Sequence, residues 1–154
     1  MGLDIGKLAV RRSIFVHAPP ERVWREFETA DRIGAWLDRG HKLHSIDPRR
    51  GGLVDMSVEL DGKRRHYGGP ILVFDAPNEM SLEIRWAEPW EAAYSKPIPS
   101  YWTFRLTPLY SGTLVELFHH GFELTGSEAA DNLEGYEEGW DVKHLKALRA
   151  IVEA

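Results

Sequence analysis

The stretch SEAADNLEGYEEGWDVKHLKALRAIVEA, Ser127–Ala154, decides the fold. Within it Tyr136, Trp140, Lys143, His144, Ala147, Leu148 and Ile151 recur at three- and four-residue steps, the spacing of one stripe on an α-helix. The spacing predicts a single amphipathic helix across the whole stretch. A helix that only plugs a core is lined with Leu, Ile and Ala. The aromatic and polar members of this stripe, Tyr136, Trp140 and His144, also fit a helix that closes a cavity.

Upstream, the chain reads as strand after strand. Turn signals at Asp47-Pro48, Asp61-Gly62, Ala76-Pro77-Asn78 and Ser111-Gly112 separate strand candidates at 42–46, 52–60, 64–74, 80–86, 100–108 and 112–122. Val54, Met56 and Val58 alternate with Asp55, Ser57 and Glu59. Met80, Leu82, Ile84 and Trp86 alternate with Ser81, Glu83 and Arg85, and Trp102, Phe104 and Leu106 with Thr103, Arg105 and Thr107. Such strands have one wet face and one face of large side chains. Two segments resist this reading. Ile71-Leu72-Val73-Phe74 is apolar without alternation, and 113–119 offers apolar residues on both parities.

Farther out, Val10–Val16 reads as a first strand, with Val10, Arg12, Ile14 and Val16 on one face. Pro20 suits the first turn of a short helix whose apolar face is Val23, Trp24 and Phe27. Asp31 is the expected cap of a second short helix running to Trp36-Leu37. Residues 1–9 are expected to be a loosely docked lead-in, with one domain over 10–154. Residues 87–99, carrying Trp90 and Tyr94 among three prolines, are a long connection and a candidate lid. Gly51-Gly52 and Gly68-Gly69 fit bends that let a sheet curve. These elements make an α+β pattern: a strongly curved antiparallel sheet of six or seven strands, its apolar face covered by the C-terminal helix.

Composition narrows the function. The 154 residues carry a net charge of -5 and no Cys, which excludes disulfides, thiolate metal sites and Cys nucleophiles. An acidic chain argues against nucleic acid as a partner. The one basic cluster, Lys63-Arg64-Arg65-His66, reads as a solvated hairpin end. With no long apolar run and no basic-then-apolar leader, a soluble, cytoplasmic protein with no membrane partner is expected.

Val16-His17-Ala18-Pro19-Pro20-Glu21-Arg22-Val23-Trp24, then Trp36-Leu37, Gly51-Gly52, Asp61-Gly62, Trp86, Gly112-Thr113, His119-His120-Gly121-Phe122 and Gly139-Trp140 together resemble the signature of the SRPBCC superfamily. These are helix-grip domains of the START, polyketide-cyclase and birch-pollen-allergen type. Within that group the chain is similar to the small bacterial proteins related to the activator of the heat-shock-protein-90 ATPase. The resemblance spans about residues 10–153 and implies a mostly apolar cavity between sheet and C-terminal helix. Carried over by position, it brings Trp36, Trp86, Trp102, Phe104, His119 and Trp140 toward that cavity. It also favours Val115, Leu117 and His119 as the inward parity of the last strand. Leu114 and Phe118 would then face outward and could serve a homodimer.

The candidate ligand-binding set is therefore Trp36, Trp86, Trp102, Phe104, His119, Tyr136, Trp140 and His144. Tryptophans are also the ordinary filler of a small core, so sequence leaves open whether these rings line a void or fill it. His119 either orients a ligand or shuttles a proton, or is a core histidine with satisfied nitrogens. No metal site is expected. His119 and His120 point to opposite strand faces, His41 and His44 share no face and read as surface residues, and no paired metal-binding spacing occurs. No cofactor motif and no nucleophile elbow is present. The expected function is binding of a small hydrophobic or aromatic molecule. The alternatives are a cyclase or aromatase using His119 as general acid or base, and a co-chaperone-like partner-binding module.

Overall fold

The computed structural model describes residues 2–37, 40–60, 62–86, 99–140 and 142–154. Asp61 of the Asp61-Gly62 turn, and the candidate lid with Trp90 and Tyr94 except for Pro99, lie outside the described residues. Seven strands, β1 (Val10–Val16), β2 (His41–Ile46), β3 (Leu53–Leu60), β4 (Lys63–Asp75), β5 (Glu79–Trp86), β6 (Ser100–Leu109) and β7 (Gly112–His120), form one antiparallel sheet ordered β1-β7-β6-β5-β4-β3-β2. The last strand pairs with the first, Val10 opposite His119 and Val16 opposite Thr113. The sheet curls into a half-barrel around the C-terminal helical segment, an α+β helix-grip fold.

Glycines permit the curl by letting backbones approach. A Cβ on Gly68, whose φ is +137°, would lie 2.1 Å from the Val54 carbonyl oxygen of the neighbouring strand, a distance no side chain tolerates. The unassigned run 71–74 also resolves. Ile71 faces Leu82, but Val73 faces Ser81, so the ladder shifts by one residue between them. That bulge brings Ile71 and Phe74, three positions apart, onto the face shared by Leu82 and Met80. A second bulge, between Leu43 and Ser45, leaves His41 and Leu43 on the inner face opposite Val58 and Met56.

Two short helices, α1 (Pro20–Trp24) and α2 (Ala30–Leu37), joined by a 3-10 turn at Arg25–Phe27, bury Val23, Trp24, Phe27, Ile33 and Trp36. The expected cap at Asp31 is corrected. Thr29 Oγ1 accepts the Arg32 backbone N–H at 3.2 Å, and Asp31 lies inside the first turn of α2. The Glu26 carboxylate, buried between the helices, takes Arg22 at 2.6 Å and Arg32 at 2.9 Å.

The single helix expected over Ser127–Ala154 is interrupted. A 3-10 segment over Phe122–Glu128 leads into α3 (Ala129–Gly139), and α4 (Lys143–Glu153) follows a break at Trp140, whose backbone is extended (φ -91°, ψ 124°). The break is capped from β1. Arg12 Nη2 donates to the carbonyl oxygens of Glu137 (3.2 Å) and Trp140 (2.9 Å) and to the Glu137 carboxylate (3.1 Å). A guanidinium thus caps carbonyls that a continuous helix would use itself. The break shifts the phase of the apolar stripe, so that α4 buries His144, Leu145, Leu148 and Val152 while Ala147 and Ile151 are half-buried.

Residues 2–8 are not loose. Ile5 is only 8% exposed, and the segment is pinned across the outer face. Arg105 donates to the Leu3 carbonyl (2.9 Å), Arg11 to the Gly6 carbonyl (2.9 Å), and the Leu8 N–H to Glu123 Oε1 (3.0 Å). The outward pair expected to serve a homodimer is accordingly not an exposed patch. Phe118 is buried with the guanidiniums of Arg11 and Arg105 over its ring, and Leu114 is half-buried.

Candidate functional site

Between the inner face of the sheet and the α3–α4 junction lies a cavity of about 220 Å³. Among the described residues its wall is Leu37, His41, Val58, Tyr67, Ile84, Trp86, Trp102, His119, Gly135, Tyr136, Trp140 and His144. Strand parity supplies one side. Tyr67 lies opposite Trp86 across β4 and β5, and Trp102 lies opposite His119 across β6 and β7. The helical break supplies the other, because Trp140 leaves the helix at the point where its ring drops onto the sheet.

Six of the eight candidate residues, Trp86, Trp102, His119, Tyr136, Trp140 and His144, meet around this space. Trp36 and Phe104 do not. They pack with Phe27 in the core beneath it, at ring separations of 5.1 to 5.8 Å, around a void of about 20 Å³. His41 and Tyr67 line the cavity unforeseen. His41, read from sequence as a surface residue, is half-buried and its Nδ1 is hydrogen-bonded to the Tyr67 hydroxyl. The available signal was plain alternation, which puts His41 on the face of Leu43; the bulge after Leu43 obscures that face by placing Ile46 rather than Ser45 on it. His44 is exposed, stacked on His66 at 5.2 Å.

The rings interlock through edge-to-face contacts. Trp102 meets Trp140 at 5.0 Å and Tyr67 at 6.0 Å, Trp140 meets His144 at 5.0 Å, and Tyr136 lies 4.2 Å from His119. Trp86 Nε1 donates to the Tyr136 hydroxyl at 3.2 Å. These contacts hold the walls apart without filling the space between them.

The chemistry of His119 follows from its partners. The ring is 1% exposed. Trp140 Nε1–H, which can only donate, gives its hydrogen to His119 Nδ1 at 2.9 Å. Nδ1 is therefore the acceptor and Nε2 carries the proton, which it donates to Ser100 Oγ at 2.8 Å. This polarity is the reverse of a serine-activating dyad, in which the imidazole accepts the hydroxyl proton and Nδ1–H donates to a carboxylate. Protonating Nδ1 would set two N–H groups against each other. Burial, followed by the charge of His120, lowers the His119 pKa to about 3. Burial and then His144 lower that of His41, and burial and then Tyr136 raise that of the Tyr67 phenol. At neutral pH these three groups carry no charge, and no carboxylate lines the cavity among the described residues. No group of three or more metal-ligating side chains occurs among the described residues either.

On the outer face His120 bonds Thr103 Oγ1 at 2.7 Å, and Thr103 bonds Ser81 at 2.8 Å. This buried polar chain is separate from the cavity.

Comparisons with known proteins agree with the architecture. The profile of the family described as "Activator of Hsp90 ATPase homolog 1-like protein" matches residues 17–153. The crystal structure of protein CV1439 from Chromobacterium violaceum is 25% identical, superposes with a TM-score of 0.73, and the match covers 95% of this chain and 97% of that one. A solution structure of a protein from Arthrobacter aurescens is 17% identical with a TM-score of 0.74, the match covering 98% of this chain and 91% of that one. DynU16, a protein of the dynemicin biosynthetic locus, is 19% identical with a TM-score of 0.61; the match covers 97% of this chain and 48% of that one. No curated protein matches the chain. With a match across nearly its whole length and the helix-grip architecture in place, the chain belongs to the activator of Hsp90 ATPase homolog 1-like family of the SRPBCC superfamily.

Proposed function

We propose that the protein is a cytoplasmic binding domain for a small hydrophobic or aromatic molecule, held between the curled sheet and the α3–α4 junction. The observation that carries this reading is the unfilled, ring-lined cavity of about 220 Å³, whose wall among the described residues holds no carboxylate. Its size suits a single aromatic ring with a short substituent, since an apolar cavity of about 150 Å³ takes benzene. Larger, drug-sized ligands occupy sites of about 300–1,000 Å³. Burial of ring surface against Trp86, Trp102 and Trp140 would supply most of the affinity. Ligand-holding is also the common use of the SRPBCC fold.

A cyclase-type reading needs an acid or base at His119, and both nitrogens of that ring are committed to Trp140 and Ser100. His119, Tyr136 and His144 therefore take part as walls, with His119 offering its ring face and no spare nitrogen.

Toluene titrated against the intrinsic tryptophan fluorescence tests the reading. Ile84→Phe, which places a ring inside the cavity, should weaken toluene binding at least tenfold while the thermal midpoint stays near the parent value. Equal binding by parent and variant would remove the cavity as the site.

A further inference from the structure

The basic run Lys63-Arg64-Arg65-His66 at the start of β4 is split by strand alternation. Arg64 and His66 turn outward, where Arg64 bonds Ser57 Oγ at 2.8 Å and approaches Glu59 at 3.6 Å, and His66 meets Asp55 at 3.3 Å. Arg65 shares the inner face with Tyr67, and the β3–β4 ladder runs through both without a register shift. Its side chain is half-buried, and its Nε is enclosed without a hydrogen-bond partner. Among the described residues the guanidinium makes no ion pair or ring contact either. Nη1 and Nη2 are not enclosed in this way, so they are the atoms that an incoming group can meet.

Register places this guanidinium at the rim of the cavity. His41, Val58 and Arg65 stand in one row across β2, β3 and β4, and the first two line the cavity. Directly opposed residues carry their Cβ atoms about 4.5–5.5 Å apart, within the reach of an arginine side chain. The next row along β4, about 7 Å away, holds Tyr67 and Trp86, both on the cavity wall. No acid competes here. Asp55 and Glu59 lie on the outer face of β3, its inner face carries Val54, Met56 and Val58, and no carboxylate lines the cavity among the described residues. His41 and Tyr67 are bonded to each other and neutral at pH 7. An apolar, ring-lined space thus opens beside a cation that lacks an anion.

We infer that the ligand is an aryl-substituted short-chain carboxylic acid, its ring in the cavity and its carboxylate on Arg65 Nη1 and Nη2. The inference rests on the cavity being the binding site and adds what selects the occupant. The planar guanidinium offers a carboxylate two parallel N–H donors, and such charge-assisted bonds are roughly twice as strong as neutral ones. A half-buried cation is screened less than one on the open surface and keeps more of that advantage. An amide of the same shape brings no opposite charge.

Phenylacetate and phenylacetamide, nearly equal in shape and different in charge, form the test pair. By calorimetric titration at pH 7 and low salt, the parent protein should bind phenylacetate roughly tenfold more tightly. This comparison needs no variant. Arg65→Met, which keeps the aliphatic stem and removes the charge, should bring the two affinities together and leave toluene binding near the parent value. Equal affinities in the parent, or a preference undiminished in Arg65→Met, would overturn the carboxylate inference and leave the cavity reading standing. Failure of toluene and of both test compounds to bind would overturn both.

Discussion

At the residue scale, His119 shows how partners decide chemistry. The sequence placed an imidazole on the inner face of the last strand and left its role open between ligand contact and satisfied core residue. In the structure both nitrogens are bonded within the protein and the side chain is enclosed, so what His119 presents to the cavity is its ring face. Removing it would strand the Trp140 N–H and open a hole, so His119→Ala should cost about 3 kcal/mol of stability in denaturant unfolding. A loss under 1 kcal/mol would contradict that arrangement. Nothing in the sequence could show this, because the decisive partner is a tryptophan on a distant helical segment.

The buried histidines also give stability a pH dependence. The native pKa values of His119 and His120 are about 3 and about 4, against 6.5 for a free histidine, and that of His41 is lowered too. Below pH 6.5 the unfolded chain therefore takes up protons that the native protein refuses. Their contribution is complete above pH 6.5 and is lost progressively as the pH falls toward 4. Unfolding free energy should fall steadily between pH 7 and pH 5, and His120→Asn should flatten that slope. A parent protein equally stable at both pH values would show that these rings are not held neutral.

At the element scale, all seven strands were legible because alternation and turn residues mark them directly. What was not legible arose where one element acts on another. The run Ile71–Phe74 had no readable face because a bulge changes parity within it. The final helix read as continuous because the stripe spacing survives across Trp140 in the sequence, while the partner that caps the break, Arg12, lies far away on β1. Arg12→Met keeps the aliphatic stem and removes the guanidinium. It should cost about 1–2 kcal/mol, a figure discounted for partial exposure, and should speed amide hydrogen exchange at the end of α3 and the start of α4. Unchanged exchange there would mean that the break does not depend on the Arg12 cap.

At the scale of the whole molecule, the interrupted helix makes the cavity. A straight helix would carry Trp140 along its stripe; the break turns the indole onto His119, and Tyr136 and His144 flank it on either side. The candidate site was legible to the extent that parity and the family resemblance could reach, which brought six of eight residues to one space. Trp36 and Phe104 share the inward face but lie deeper, and depth along a curled sheet is not written in alternation. The N-terminal segment, expected to be a loosely docked lead-in, is tied to the outer face through Arg11, Arg105 and Glu123.

The central claim is that the space between sheet and helices takes a small aromatic guest, and a methyl NMR titration with toluene tests it most directly. The account predicts saturable shifts at the methyls of Val58, Ile84 and Leu37, with those of Leu145 and Val152, buried elsewhere in the core, left in place. Shifts that never saturate, or that miss the three cavity methyls, would contradict it.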